Sequence, residues 1–312
     1  MPNKLFEGMP DFLVIGAGKS GTTSIDKYLN QHPGVFVPRK KEPNFFGYET
    51  TNENDLRKSP DDLAHYRASV TTLEEYLKIF EEASPQQKLG ETSNTYLYHK
   101  DAPYRIQHYI PDVKLIAVLR QPADRLYSRF MHLARENRTP TKSFSDCLDK
   151  NSIWWQRNDL VTEGFYTINL TRYYELFPKE NIRVYLYDDF ESNPLKVMRD
   201  IYAHIGVDPE FTPDVSLRYN ESGVVKNNLL NSIYGQGGWL SRSIQFLSPG
   251  LYQKLRGNLS LKKKMLNLRK KNLEKKAMDP AIRKALTLNV YGEDISALQS
   301  LLGRDLSHWL KT

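Results

Sequence analysis

Short apolar runs alternate along this chain with stretches whose apolar residues recur at helical spacing. Phe12–Ile15, Val35–Val37, Val113–Leu119 and Ile182–Leu186 are rich in aliphatic or β-branched residues and read as strands. Asp112–Leu119, "DVKLIAVL", is apolar enough for a central strand buried on both faces. Between these runs Leu73, Tyr76, Leu77 and Phe80 form one apolar helical stripe. Leu126, Phe130 and Leu133 form another behind Pro122, a residue suited to a first helical turn. Val197, Met198, Ile201 and Ile205 form a third that closes at Gly206, and Ile295, Leu298 and Leu302 lead to Gly303. The alternation predicts an α/β fold: a central parallel sheet with helices on both faces, and a ligand at the carboxyl ends of the strands. Two long stretches, Pro38–Ser69 and Asn137–Gly164, carry neither pattern; irregular segments of that length in a compact domain tend to be functional.

No repeat, low-complexity segment or Gly/Ser linker divides the 312 residues, so the expectation is one domain over 1–312. A content of 39% hydrophobic and 26% charged residues is that of a soluble globular chain. No apolar run approaches the roughly 20 residues that span a bilayer. "MPNKLFEGMPDF" has no apolar signal core, and Cys147 is the single cysteine, which excludes an internal disulfide; both point to the cytoplasm. The net charge of +7 favours anionic partners. Much of it falls in Gln253–Lys276, which reads as a solvated helix face.

The first strand runs into "GAGKSGTTS" and then a helix, and this turn parses three ways. Gly16, Gly18 and Gly21 match a dinucleotide fingerprint, yet the acidic residue it needs about 20 positions on is replaced by Arg39, Lys40 and Lys41. Gly18-Lys19-Ser20 resembles the end of a triphosphate loop, but Leu13 stands where its first glycine belongs. The third parse is a short cradle for one phosphate. Backbone N–H groups at the helix start face the anion, Ser20, Thr22, Thr23 and Ser24 add hydroxyls, and Lys19 adds charge beside Gly21. A simple N-cap needs one hydroxyl and no lysine.

"GAGKSGTTS" resembles the 5′-phosphosulfate loop of sulfotransferases that use 3′-phosphoadenosine 5′-phosphosulfate. "LIAVLRQPADRLYSRFMH" resembles their 3′-phosphate element, a strand ending in Arg120 followed by a helix carrying Ser128. "KKEPNFF", "LGETSNTYLY", "GFYTINLTRYYELFPKENIRVYLYDDF" and "YGEDISALQSLLGRDLSHWL" extend the likeness over most of the chain, toward the polysaccharide (heparan sulfate) branch and its free-standing bacterial relatives. The resemblance implies a P-loop-like nucleotide-binding fold, with 38–69 and 137–164 as acceptor-side insertions and 217–230 as a donor-covering loop.

It also implies roles. Lys19, Ser20, Gly21, Thr22, Thr23 and Ser24 hold the 5′-phosphate, Arg120 and Ser128 the 3′-phosphate, and Lys226 covers the donor. Lys19 stabilises the leaving group and Glu42 is the general base, with His32 as a rival base. Glu91 and Ser93 match cleft-lining positions, and Trp154 or Trp155 is a candidate for stacking on a sugar. Heparan-type members often carry Lys where this chain has Thr92, which leaves Lys41 as the candidate acceptor contact. The donor carries the activation, so no metal is required. The expected partner is a carbohydrate or another hydroxylated acceptor, and no nucleic acid. A small-molecule or lipid hydroxyl is the alternative within this chemistry; a nucleoside or metabolite kinase and a non-catalytic anion-binding protein are the alternatives outside it.

Overall fold

Five strands, β1 (Phe12–Gly16), β2 (Val35–Phe36), β3 (Lys88–Thr92), β4 (Lys114–Leu119) and β5 (Ile182–Leu186), form one sheet in the order β2-β3-β1-β4-β5. All pairings are parallel, with Leu13 beside both Glu91 and Leu115. The computed structural model describes residues 4–56, 60–136, 138–216, 224–225, 273–274 and 276–312. Val224–Val225 and Leu273–Glu274 make a separate antiparallel pair.

Side chains alternate across a strand, so each central strand feeds two cores. Leu13, Leu115, Ala117 and Leu119 pack on one face with Phe45, Trp154, Tyr166 and Leu298. Phe12, Val14, Ile116 and Val118 pack on the other with Ile25, Leu29, Met198 and Ile201. That double burial is why β4 reads as an unbroken apolar run.

The helices start and stop where the sequence indicates. Helix α1 (Thr22–Leu29) follows Gly21, whose φ of 93° only glycine adopts without strain. The helix Pro122–Arg135 begins with proline, and Gln121 accepts from the Asp124 N–H at 2.7 Å. Thr72 caps the helix Leu73–Lys78, while Gly206 (φ 76°) and Gly303 (φ 62°) end Pro194–Ile205 and Gly292–Leu302.

The two patternless stretches are more ordered than their sequence suggests. Within 38–69 the turns Phe45–Tyr48 and Glu53–Leu56 lead to a helix, Pro60–Ala68. Phe45 stacks on Tyr76 at 4.4 Å, which anchors the segment to the core. Within 138–164 the short turns Phe144–Leu148, Ile153–Gln156 and Thr162–Gly164 are held by Trp154. Elements of four or five residues are too short to show a period.

From β1 the chain builds β2 and β3 to one side and then β4 and β5 to the other. The carboxyl end of β1 is therefore the switch point where such sheets hold ligands.

Candidate active site

The β1–α1 turn forms the floor of a cleft of about 1300 Å³. The first bonds of α1 run from the Ser24 and Ile25 N–H groups to the Gly21 carbonyl, so the N–H groups of Thr22 and Thr23 precede the intrahelical ladder. Ser20 is fully buried, and its Oγ meets no partner among the described residues. Lys19 has a left-handed backbone, φ 68°. Burial, then the nearby Arg129, Arg135 and Lys41, push its ammonium down to about 7, against the pull of Glu42. A glycine turn that opens a helix, with the Lys19 ammonium beside it, fits a phosphate group. Two loop amides are already engaged: Ala17 N–H donates to the Val118 carbonyl at 2.8 Å, and Gly18 N–H donates to Glu163 Oε1 at 2.7 Å, while Arg125 Nη1 donates to Glu163 Oε2 at 2.7 Å.

Arg120 follows β4, its guanidinium 4.8 Å above the Tyr187 ring and its Nη1 3.4 Å from the Lys19 carbonyl. Tyr166 OH donates to the Arg120 carbonyl at 2.9 Å and fixes the strand end. Ser128 lines the same wall two turns into the next helix. Arg129, His132 and Arg135 continue along that wall. Arg129 and Arg157 both grip Asp159, which they hold well below the usual carboxylate range in spite of its burial. His132 is pushed far below its ordinary value by burial and by Lys19, Arg129 and Arg135; as a neutral ring it accepts from Arg135 Nη2 through Nδ1 at 2.8 Å.

The opposite wall carries Glu42, φ 54°. Its N–H donates to the Thr92 carbonyl at 3.1 Å, and its carbonyl accepts from Asn44 Nδ2 at 2.8 Å. Asn44 (φ 55°) is itself tied to Ser93, Thr95 and Ser69. Two non-glycine residues in the left-handed region, with Pro43 between them, cost energy, and the Asn44 amide network holds them there. Glu42 Oε1 accepts from Asn94 Nδ2 at 2.8 Å, with Lys41 Nζ at 3.4 Å. Lys41 Nζ also donates to Thr23 Oγ1 at 2.6 Å, which joins this wall to the start of α1.

The structure thus brings Lys19, Gly21, Thr22, Thr23, Ser24, Arg120, Ser128, Lys41 and Glu42 to one cleft. Other candidates lie elsewhere. Glu91 and Ser93 are corrected from cleft-lining to buried: β3 is an interior strand, and Glu91 accepts from Tyr76 OH (3.3 Å) and Ser93 Oγ (2.8 Å) below the floor. Burial pushes Glu91 up to about 7, against the hydrogen bonds from Tyr96, Ser93 and Tyr76. Trp154 is corrected from sugar stacking to core: it is fully buried against Phe130 and Phe144, with its indole N–H on Thr141 Oγ1. Trp155 turns its indole to the Cys147 carbonyl and does not line the cleft either. His32 is buried outside the cleft, where Nδ1 accepts from Gly34 N–H and Nε2 faces the Asp208 carbonyl, a turn residue. Lys226 lies outside the described residues, as do nearly all of the 217–230 loop and of the Gln253–Lys276 run. Asn94, Arg129, His132 and Arg135 were not singled out by the sequence reading. The last three share one polar helical face with Ser128, and such a face carries no sign of its own that it lines a cleft.

The profile of the Sulfotransferase family matches residues 10–213. The chain is 26% identical over 228 residues to mouse bifunctional heparan sulfate N-deacetylase/N-sulfotransferase 3, and 28% identical over 226 residues to the Caenorhabditis elegans bifunctional enzyme 1. These matches cover 70% and 69% of the chain but only 24% of each relative's length. A crystal structure of a sulfotransferase from Alicyclobacillus acidocaldarius superposes with a TM-score of 0.70 at 26% identity, over 97% of this chain and 99% of that one. No helix among the described residues is long and apolar enough to cross a membrane.

Proposed function

The chain belongs to the Sulfotransferase family, and on that premise we propose that it moves a sulfuryl group from 3′-phosphoadenosine 5′-phosphosulfate to a hydroxyl of a carbohydrate acceptor, with Glu42 as general base. The observation that carries this reading is that the phosphate turn, the Arg120–Ser128 wall and Glu42 share one cleft. The carbohydrate class is supported by the likeness to heparan sulfate enzymes. When bound, the donor supplies an activated sulfuryl group on a phosphate leaving group.

The protein's own residues do the rest. The α1 amides and the Thr22–Ser24 hydroxyls hold the 5′-phosphate, and Arg120 with Ser128 holds the 3′-phosphate. Lys19 neutralises charge that grows on the departing phosphate oxygen, an interaction strongest in the transition state. Glu42 takes the proton of the acceptor hydroxyl as that oxygen bonds to sulfur. The cleft carries more cations than carboxylates among its described residues, which suits a donor with two phosphates.

Labelled-sulfate transfer to desulfated heparin, desulfated chondroitin, p-nitrophenyl glycosides and hydroxylated lipids tests the acceptor class. Glu42→Gln is expected to keep donor affinity and lower kcat by roughly 10²–10⁴-fold, because the amide cannot take a proton. Near-wild-type kcat in Glu42→Gln, with loss in His32→Ala or Glu91→Gln, would move the base elsewhere. Thermal stabilisation by ATP with Mg²⁺ but not by adenosine 3′,5′-bisphosphate would replace the donor.

A further inference from the structure

We propose that Asn94 is a positioning residue: it pins Oε1 of Glu42 and leaves Oε2 to take the acceptor proton. The proposal rests on the reading of Glu42 as the base.

Asn94 stands at the N-cap of the turn Thr95–Tyr98. An asparagine there ordinarily accepts an N–H from the first turn of the helix. Here its side chain makes no capping bond. Nδ2 instead reaches across to Glu42 Oε1 at 2.8 Å. Lys41 Nζ stands 3.4 Å from the same oxygen. Among the described residues nothing hydrogen-bonds to Oε2, and the Glu42 side chain is 33% exposed in the cleft wall.

The backbone of Glu42 is fixed by Thr92 and Asn44. That leaves the rotation of the carboxylate to be set by its own contacts, and both fall on one oxygen. Asn94 Oδ1 is buried and has no partner among the described residues. Turning the amide over would place Oδ1 against Oε1, acceptor against acceptor, so the carboxylate fixes which way the amide lies. An asparagine serving the helix would cap it; this one leaves both the cap and its own carbonyl unsatisfied and holds Glu42. A base whose accepting oxygen is preset needs less reorganisation at the moment of transfer.

The test compares Asn94→Ala, Asn94→Asp and Glu42→Gln with the double variant Glu42→Gln/Asn94→Ala. Turnover is read as adenosine 3′,5′-bisphosphate release, with the best acceptor of the panel above and with water alone. Donor affinity is read by calorimetric titration with adenosine 3′,5′-bisphosphate. Asn94→Ala is expected to lower kcat on the order of 10- to 100-fold, with donor Kd, acceptor KM and melting temperature nearly unchanged. Asn94→Asp is expected to be slower still, because a carboxylate then faces the Glu42 carboxylate. In the Glu42→Gln background Asn94→Ala is expected to add less than about two-fold, since the two act as one unit.

Wild-type kcat in Asn94→Ala overturns the proposal. So does a loss matched by weaker nucleotide binding or lower melting temperature, an Asp variant no slower than Ala, or an additive double variant. Wild-type kcat in Glu42→Gln overturns the underlying reading of the base. An inactive Glu42→Gln beside an active Asn94→Ala overturns the role of Asn94 alone.

Discussion

On the proposed reading, Lys19 is the residue where ligand binding and titration meet. With its ammonium pushed down to about 7 by burial and by Arg129, Arg135 and Lys41, the unbound protein holds it largely neutral one unit higher. An arriving phosphate favours the charged form. Binding of adenosine 3′,5′-bisphosphate is therefore expected to take up protons near about pH 8 and to take up almost none below about pH 6, where Lys19 is already charged. Titrations in two buffers of different ionisation enthalpy read this uptake; identical heats at the higher pH would show that Lys19 is charged throughout. Without ligand the folded state binds fewer protons at Lys19 than the unfolded state between about 7 and 10.5, so its contribution to stability rises with pH across that window. Arg120→Ala is expected to weaken adenosine 3′,5′-bisphosphate by roughly 10- to 100-fold while leaving adenosine 5′-monophosphate almost untouched. Equal weakening of both would remove Arg120 from the 3′-phosphate. The phosphate turn was legible because glycine, lysine and hydroxyls crowd into a place where a cap needs only one of them, and Arg120 through the resemblance of its strand-helix motif. The cations of Arg129 and Arg135 were not, since the polar face of a helix ordinarily meets solvent, and Asn94 was not, since an asparagine ahead of a helical turn reads as its cap. Glu91 and Trp154 neighbour cleft residues in sequence, and only the packing of β3 and of Phe144 shows that they point inward.

Among the elements, β3 was the hardest to see from hydrophobicity. "KLGET" has one large apolar residue, Leu89, too few to show a strand pattern. Its composition follows from its neighbours. Gly90 lies opposite Phe12, and a Cβ there would sit 2.1 Å from the ring. Gly90→Ala is expected to cost about 1–3 kcal/mol in chemical denaturation, and Phe12→Leu in the same chain to recover part of it. An unchanged midpoint for Gly90→Ala would mean that the strands part freely. The next residue, Glu91, is buried among tyrosine hydroxyls and pushed up to about 7. The folded state then binds more protons there than the unfolded state between about 4.5 and 7. The stability from Glu91 is full at the acid end of that window and is lost as pH rises through it. Glu91→Gln is expected to flatten this fall in a series of melting temperatures against pH; an unchanged slope would place the titration on another group. β1 and β4, by contrast, were plain in the sequence, because strands covered on both faces need apolar residues at every position.

Over the whole molecule, the excess of cations around the cleft makes donor affinity a property of the field as well as of contacts. Affinity for adenosine 3′,5′-bisphosphate is expected to fall steadily as salt rises from about 0.05 to 0.5 M, as the screening length shortens from more than 10 Å to only a few ångströms. Indifference to salt would assign binding to close contacts alone. The strand order carries a consequence of another kind. Lys41, Glu42 and Asn94 come from the β2–β3 side of the sheet, and Arg120 and Ser128 from the β4 side, with β1 as the shared border. The chain is thus partitioned like a tool with a fixed handle and an exchangeable head. On the proposed reading, exchanging the segment 38–99 for that of a relative is expected to graft a new acceptor preference while Arg120 and Ser128 keep their side of the donor site, provided that the contact of Lys41 with Thr23 is retained.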